Sequence, residues 1–332
     1  MDAFTQHVNV TRYHNQQTGF YESFFLRANH PTRPLAFWIR YTIFSPKNRP
    51  QDALGELWAI YFDGEVNNHI AVKQEVLFRQ CVFSSTGFFV EINGAQLKPG
   101  ELHGVVSAKD NSLAWDLTFD GHAKPLLLLP FKLYETKLPA AKSLVSAPLA
   151  TFNGSLTVND KTVEVVDWVG SQNHNWGSKH TDLYAWGQVA GFDSHPQSFL
   201  EVATARLKIG PLWTPYMTLA VLRHDGKEFA LNSLIQSLRA KGSFEYFTWN
   251  FKSETKEIAL EGAISAPREA FVGLNYYNPP GGNKYCLNTK IASCQLHLKD
   301  NQAGKEEMLV TKSRAAFEIL TGDRNHGVVI RA

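Results

Sequence analysis

Apolar and polar residues alternate with a period of two in the clearest segments of this chain. In Leu113-Ala-Trp-Asp-Leu-Thr-Phe119, the residues Leu113, Trp115, Leu117 and Phe119 share one face, while Asp116 and Thr118 share the other. This is the pattern of a strand with one buried side. Trp38-Ile-Arg-Tyr-Thr-Ile-Phe44, closed by Ser45-Pro46, and Glu56-Leu-Trp-Ala-Ile-Tyr-Phe62, closed by Asp63-Gly64, are rich in the aromatic and β-branched residues that suit a pleated surface. Phe88 to Ile92 and Phe244 to Phe251 read as strands in the same way. Asp63-Gly64, Asn93-Gly94, Asp120-Gly121, Asn153-Gly154 and Asp225-Gly226 are dipeptides that tolerate positive φ, and they predict tight hairpins.

Helical periodicity is confined to a short stretch around Leu231 to Ala240, so a parallel sheet would lack its crossover helices. Between Leu133 and Leu149 the strand pattern breaks, and prolines that cannot sit in central strands enter. The expected organisation is all-β: two successive antiparallel barrels or sandwiches, spanning residues 1–145 and 146–332.

Composition narrows the function. The 33 Lys and Arg against 31 Asp and Glu leave a formal charge of +2, too small a field to draw the chain to nucleic acid. The three cysteines, Cys81, Cys286 and Cys294, have neither disulfide-framework nor zinc-knuckle spacing. The start, Met-Asp-Ala-Phe-Thr-Gln-His, has no basic segment leading into an apolar one, and no apolar run reaches bilayer length. A cytoplasmic protein without stable membrane insertion is expected. Dinucleotide, P-loop, zinc-protease and nucleophile-elbow motifs are absent, and His174, His180 and His195 match no familiar metal spacing. The expectation is therefore no cofactor and no metal.

The densest chemistry lies in Asp167-Trp-Val-Gly-Ser-Gln-Asn-His-Asn-Trp-Gly-Ser-Lys-His-Thr-Asp-Leu-Tyr-Ala-Trp-Gly-Gln188. Its tryptophans, Trp168, Trp176 and Trp186, fill a barrel mouth, fill an interface, or contact a ligand. Just downstream, Glu201 shares a strand face with Phe199, Ala203 and Ala205, which directs its carboxylate into an apolar space or toward a basic partner such as Arg206. An acid in an apolar site stays protonated to higher pH, and aromatic faces stabilise a carbocation. Together these meet the needs of water addition to, or cyclisation at, an isolated C=C bond.

Gly19-Phe-Tyr-Glu-Ser23, Trp58-x-x-Tyr61, Phe152-Asn-Gly-Ser155, His174-Asn-Trp-Gly177, Tyr184-x-Trp186-Gly187 and Tyr277-Asn-Pro-Pro-Gly-Gly-Asn-Lys-Tyr-Cys286 occur in this order along the chain. In this ordered set it resembles the family that includes carotenoid 1,2-hydratase (hydroxyneurosporene synthase), the AttH-like proteins and, more distantly, plant tocopherol cyclase and fungal Diels–Alderases. The resemblance implies tandem lipocalin-like domains and a hydrophobic polyene or isoprenoid ligand. It also implies Glu201 as the counterpart of a proton-donating acid, with His174 orienting it or a water. Trp176, Tyr184, Trp186, Asn173, Asn175 and Phe199 would line the ligand site. Many relatives carry Asp where this chain has Asn173, so an acid role there is lost. Three readings follow: a hydratase or cyclase, a non-catalytic carrier, or an attachment-associated factor.

Overall fold

The computed structural model describes residues 8–332; residues 1–7, which hold the chain start read above, lie outside the described residues. Among the described residues, strands β1 to β12 are β1 (Phe20–Asn29), β2 (Leu35–Ser45), β3 (Leu54–Asp63), β4 (Ile70–Leu77), β5 (Cys81–Phe83), β6 (Val90–Ile92), β7 (Ala95–Lys98), β8 (Glu101–Ala108), β9 (Asn111–Asp120), β10 (Leu126–Leu127), β11 (Ala141–Val158) and β12 (Lys161–Gly177). They form one sheet in the order β4-β3-β2-β1-β12-β11-β9-β8-β7-β6-β5, with β10 on β11. The sheet curls until β4 meets β8 and β9, which nearly closes a barrel.

The remaining strands are β13 (Leu183–Ala190), β14 (Phe199–Arg206), β15 (Lys208–Ile209), β16 (Leu212–Trp213), β17 (Met217–His224), β18 (Lys227–Leu231), β19 (Lys241–Glu245), β20 (Thr248–Glu254), β21 (Ile258–Ser265), β22 (Val272–Tyr277), β23 (Asn283–Asp300) and β24 (Lys305–Thr321). All but the β15–β16 ribbon belong to a second sheet, ordered β18-β17-β14-β13-β24-β23-β21-β20-β19, with β22 on β23. A helix of six residues, Leu234–Arg239, sits where the short apolar period predicts one, capped by the Ser233 side chain. The all-β expectation holds.

Local details depart from the pattern reading. Asn93-Gly94 and Asp225-Gly226 make two-residue turns with φ of 50° and 80°, and of 49° and 74°. Asn153-Gly154 instead forms a bulge inside β11, where Gly154 has φ +129° and a Cβ would lie 2.1 Å from the Asp116 carbonyl oxygen. Phe244 to Phe251 is the β19–β20 hairpin, not one strand, with Phe247 at φ 80° in its turn. Tertiary contacts hold that aromatic turn: Phe247 packs on Phe271, and the Tyr246 hydroxyl donates to Asp323 at 2.7 Å. The chain also changes sheets after Gly177, not at 145: β11 and β12 pair with β9 and β1 and stay in the first sheet. The proline-containing break merely delivers the chain into β11.

Each sheet encloses its own core. Phe24, Leu26, Phe37, Tyr41, Leu57, Trp115 and Trp168 fill the first; Val189, Leu200, Val202, Trp249, Phe251 and Phe317 fill the second. β9 shows the expected alternation, its second face open to solvent. β1 is buried along its whole length and β2 along nearly all of it, because their outer faces are covered too. There Phe25, Trp38, Trp58, Ile60 and Phe62 from the first sheet pack against Trp186, Val272, Leu274, Tyr276 and Ala316 from the second. This layer between the two barrels holds the polar residues described next.

Candidate functional site

Strand parity decides which side chains meet. On β1, Phe24 and Leu26 point into the first barrel, so Phe25, Arg27 and Asn29 point outward toward the second. On β13, Ala185 and Val189 join the second core, which turns Trp186 and Gln188 toward the first barrel. On β14, Leu200 and Val202 point inward and Glu201 outward. The two curled sheets thus present their outer faces to one another, and several polar side chains are buried between them.

Gln188 is the centre of that network. Its oxygen accepts from Arg27 Nε at 2.8 Å and from the Ser171 hydroxyl at 2.7 Å; its amide donates to Asn173 Oδ1 and to Glu201 Oε2, both at 2.8 Å. The other Glu201 oxygen accepts from Trp186 Nε1 at 2.7 Å. Arg27 reaches Asn29 at 2.7 Å, and Asn29 donates to the Lys290 carbonyl at 2.7 Å. Burial pushes the Glu201 carboxyl up to about 7, against the opposing pull of the Trp186 and Gln188 donors and of Arg27.

A second group adjoins it. Lys290, fully buried, donates to Glu318 at 2.7 Å and to Asn288 at 2.6 Å, and its ammonium lies 5.4 Å and 5.8 Å from the ring centres of Trp186 and Trp38. The Arg40 guanidinium lies 4.5 Å from the Tyr276 ring, which meets Trp58 edge-on at 5.7 Å. Tyr21 stacks on His180 at 4.0 Å, and burial, then Arg40, holds that imidazole down at about 3 and so neutral. Trp38 Nε1, Trp58 Nε1 and Arg40 Nε are buried without a hydrogen-bond partner among the described residues. The Tyr276 hydroxyl, also in this layer, is likewise unpartnered among the described residues, so several polar groups of the layer are unmet.

The expected site residues divide between two places. Glu201, Trp186 and Asn173 share the network, and Tyr184 packs in the same interlayer cluster. Asn175 is partly buried, with Oδ1 unpartnered among the described residues. Phe199 lies in an adjoining cluster with Leu126, Val145, Ala190 and Val221. Glu201 therefore does not pair with Arg206, whose Nε donates to the Thr214 carbonyl. His174 and Trp176, however, are on the opposite face of β12. His174 stacks on Phe24 at 4.2 Å, donates Nδ1–H to the Val8 carbonyl at 2.6 Å and places Nε2 2.8 Å from Glu22, which also accepts from Thr11 at 2.6 Å. Trp176 packs with Val8, Tyr13, Phe20 and Leu144. The expected shared wall of His174, Trp176 and Glu201 is thus corrected: adjacent strand positions face apart, and His174 ties residues 8–13 to the first barrel.

Arg27, Gln188, Arg40, Trp38, Lys290 and Glu318 escaped the sequence reading. Their available signal is a charged or amide residue inside an apolar run, as in Phe-Leu-Arg27-Ala and Trp-Ile-Arg40-Tyr. Two open clefts lie elsewhere. One, of about 310 Å³, runs along the Pro279–Pro280–Gly281–Gly282 turn beside Phe44 and Lys47; the other, of about 840 Å³, lies on the outside of the second sheet by Asn250 and His297.

No family model matches the chain. Two uncharacterized proteins of Mycobacterium tuberculosis, MT0513 of strain CDC 1551 / Oshkosh and Rv0493c of strain H37Rv, are each 31% identical over 209 residues, covering 63% of this chain and 61% of theirs. The chain thus spans about three fifths of the length of the curated relatives it matches. Among solved structures, a candidate AttH (NE1406) from Nitrosomonas europaea superposes with a TM-score of 0.57 at 12% identity, over 92% of both chains. CghA bound to Sch210972 superposes with a TM-score of 0.53 at 11% identity, over 95% of this chain and 94% of that one. The fold is AttH-like and lipocalin-like.

Proposed function

We propose that the layer between the barrels binds a hydrophobic small molecule of the polyene or isoprenoid class and that Glu201 protonates a C=C bond in it. The observation that carries this reading is Glu201 itself, a carboxyl buried beside Trp186 and pushed up to about 7, where it keeps a proton near neutrality. In the protonation step, the π pair of the alkene forms a new C–H bond with the Glu201 proton and leaves a cation on the neighbouring carbon. Water, or a second alkene of the same molecule, adds its electron pair to that cation. The Glu201 carboxylate takes back the proton then released, and the product is hydrated or cyclised. Trp38 and Trp186 lie on the same layer with a cation already near their rings, and such faces contribute up to about 2 kcal/mol to a desolvated cation.

A carrier is the second reading. It is favoured by one fact: both Glu201 oxygens already accept N–H bonds from the protein, as a structural acid would. The two readings separate in heavy water. Incubated there with an acyclic polyene, the enzyme incorporates solvent deuterium at the new C–H bond. Glu201→Gln retains the bound polyene but yields no deuterated product. Retention of polyene with no deuterium in the wild type identifies a carrier, and loss of retention in both proteins removes the interlayer reading altogether.

A further inference from the structure

We propose that His195, His224 and Glu307 form a binding site for one divalent transition-metal ion of the zinc type at an end of the second barrel, away from the interlayer network. The three come from separate parts of the chain: His195 from the loop joining β13 to β14, His224 from the last position of β17, and Glu307 from the start of β24. Their ligand atoms all lie within 4.8 Å of one another. His195 Nε2 is 3.1 Å from Glu307 Oε2, and His224 Nε2 is 3.5 Å from Glu307 Oε1. A tetrahedral ion with bonds of about 2.0–2.1 Å sets its ligand atoms roughly 3.3 Å apart, close to both His–Glu307 separations.

The outer hydrogen bonds favour this use of the rings. Ser194 Oγ is 2.9 Å from His195 Nδ1, and Ser198 Oγ is 2.8 Å from His224 Nδ1. A serine hydroxyl can donate or accept, so each ring can carry its proton on Nδ1 and present the Nε2 lone pair to an ion beside Glu307. His224 is 96% buried (4% exposed), and its Nε2 has no hydrogen-bond partner among the described residues. A buried ring nitrogen without a partner is costly, and an ion at this point satisfies it.

The backbone holds the loop in place independently. Asp193 N donates to the Val310 carbonyl at 2.8 Å, and the Asp193 carboxylate pairs with Arg314 at 2.8 Å. Lys305, 57% exposed, places Nζ 2.5 Å from Glu307 Oε1; it is a flexible cation that an incoming ion displaces. Asp225 Oδ2, 3.5 Å from His224 Nε2, borders the same space. Two imidazoles and one carboxylate suit zinc better than magnesium or calcium, which prefer oxygen ligands. The expectation of no metal rested on histidine spacing, and spacing could not join residues from three distant parts of the chain.

The test titrates the metal-free full chain with zinc chloride, and with magnesium chloride in parallel, by calorimetry at neutral pH. Wild type takes up one zinc per chain, and Lys305→Met binds it more tightly because the competing cation is gone. His195→Ala and Glu307→Gln bind more weakly by more than the ~10–100-fold that loss of an outer hydrogen-bond partner costs. His195 lies in a partly exposed loop, and a thermal melt without metal verifies that His195→Ala is folded. The proposal is overturned if neither wild type nor Lys305→Met binds zinc. It is equally overturned if His195→Ala and Glu307→Gln bind as wild type does, or if magnesium binds as tightly as zinc.

Discussion

At the scale of single residues, the balance at Glu201 sets a pH dependence of stability. Its carboxyl has an ordinary value of 4.5 and titrates at about 7 in the folded chain, so between these values the folded state binds the extra proton. The contribution of this group to stability is therefore greatest below about 4.5 and is lost as pH rises through 7, by roughly 3 kcal/mol. Glu201→Gln removes that dependence. Denaturant unfolding of both proteins at pH 5 and pH 8 should show their stability difference shifting toward the variant at the higher pH by about this amount. Lys290 and Glu318 are the counter-case, a buried pair at 2.7 Å. Lys290→Met strands the Glu318 charge and should cost about 3–5 kcal/mol, whereas Lys290→Met with Glu318→Gln should recover much of it. The same unfolding assay measures both.

At the scale of elements, β12 is the strand on which both assemblies depend, because one face completes the first barrel and the other carries Ser171 and Asn173. Its Gly170 opposes Ala28 on β1, and a Cβ there would lie 1.8 Å from the Arg27 carbonyl oxygen. Gly170→Ala must force β1 and β12 apart. We expect a loss of roughly 3 kcal/mol, the upper end of overpacking costs, read as a lowered melting temperature. Much of this level is legible in the sequence. β9 alternates because solvent covers one of its faces, and Asn93-Gly94 makes a turn because both positions need positive φ. The β19–β20 turn is illegible, since two aromatic residues occupy it and only contacts with Phe271 and Asp323 explain them. The site is legible in half. Glu201, Trp186 and Asn173 stand in a distinctive segment, but the Arg27 to Gln188 contact spans 161 residues and no local pattern encodes it. The pairing of His174 with Glu201 fails for a simple geometric reason: motif membership says nothing about which way alternate side chains turn.

At the scale of the whole molecule, the two sheets share a buried layer and should unfold together. Cutting the chain between Gly177 and Leu183 leaves every strand in its own sheet, whereas cutting at 145 removes β12 and most of β11 from the first. Pieces coexpressed with the first cut should reassemble into a complex with native circular dichroism; pieces from the second should not. Size-exclusion chromatography distinguishes the outcomes. The position of the layer also bears on how such a protein diverges through descent. Along β1, β13 and β14, every second residue builds a barrel and its neighbours face the layer. Substitutions facing the layer can therefore change its chemistry without changing the residues that pack each core. The architecture tolerates wide sequence change, as chains that superpose over nine tenths of their length at 11–12% identity show.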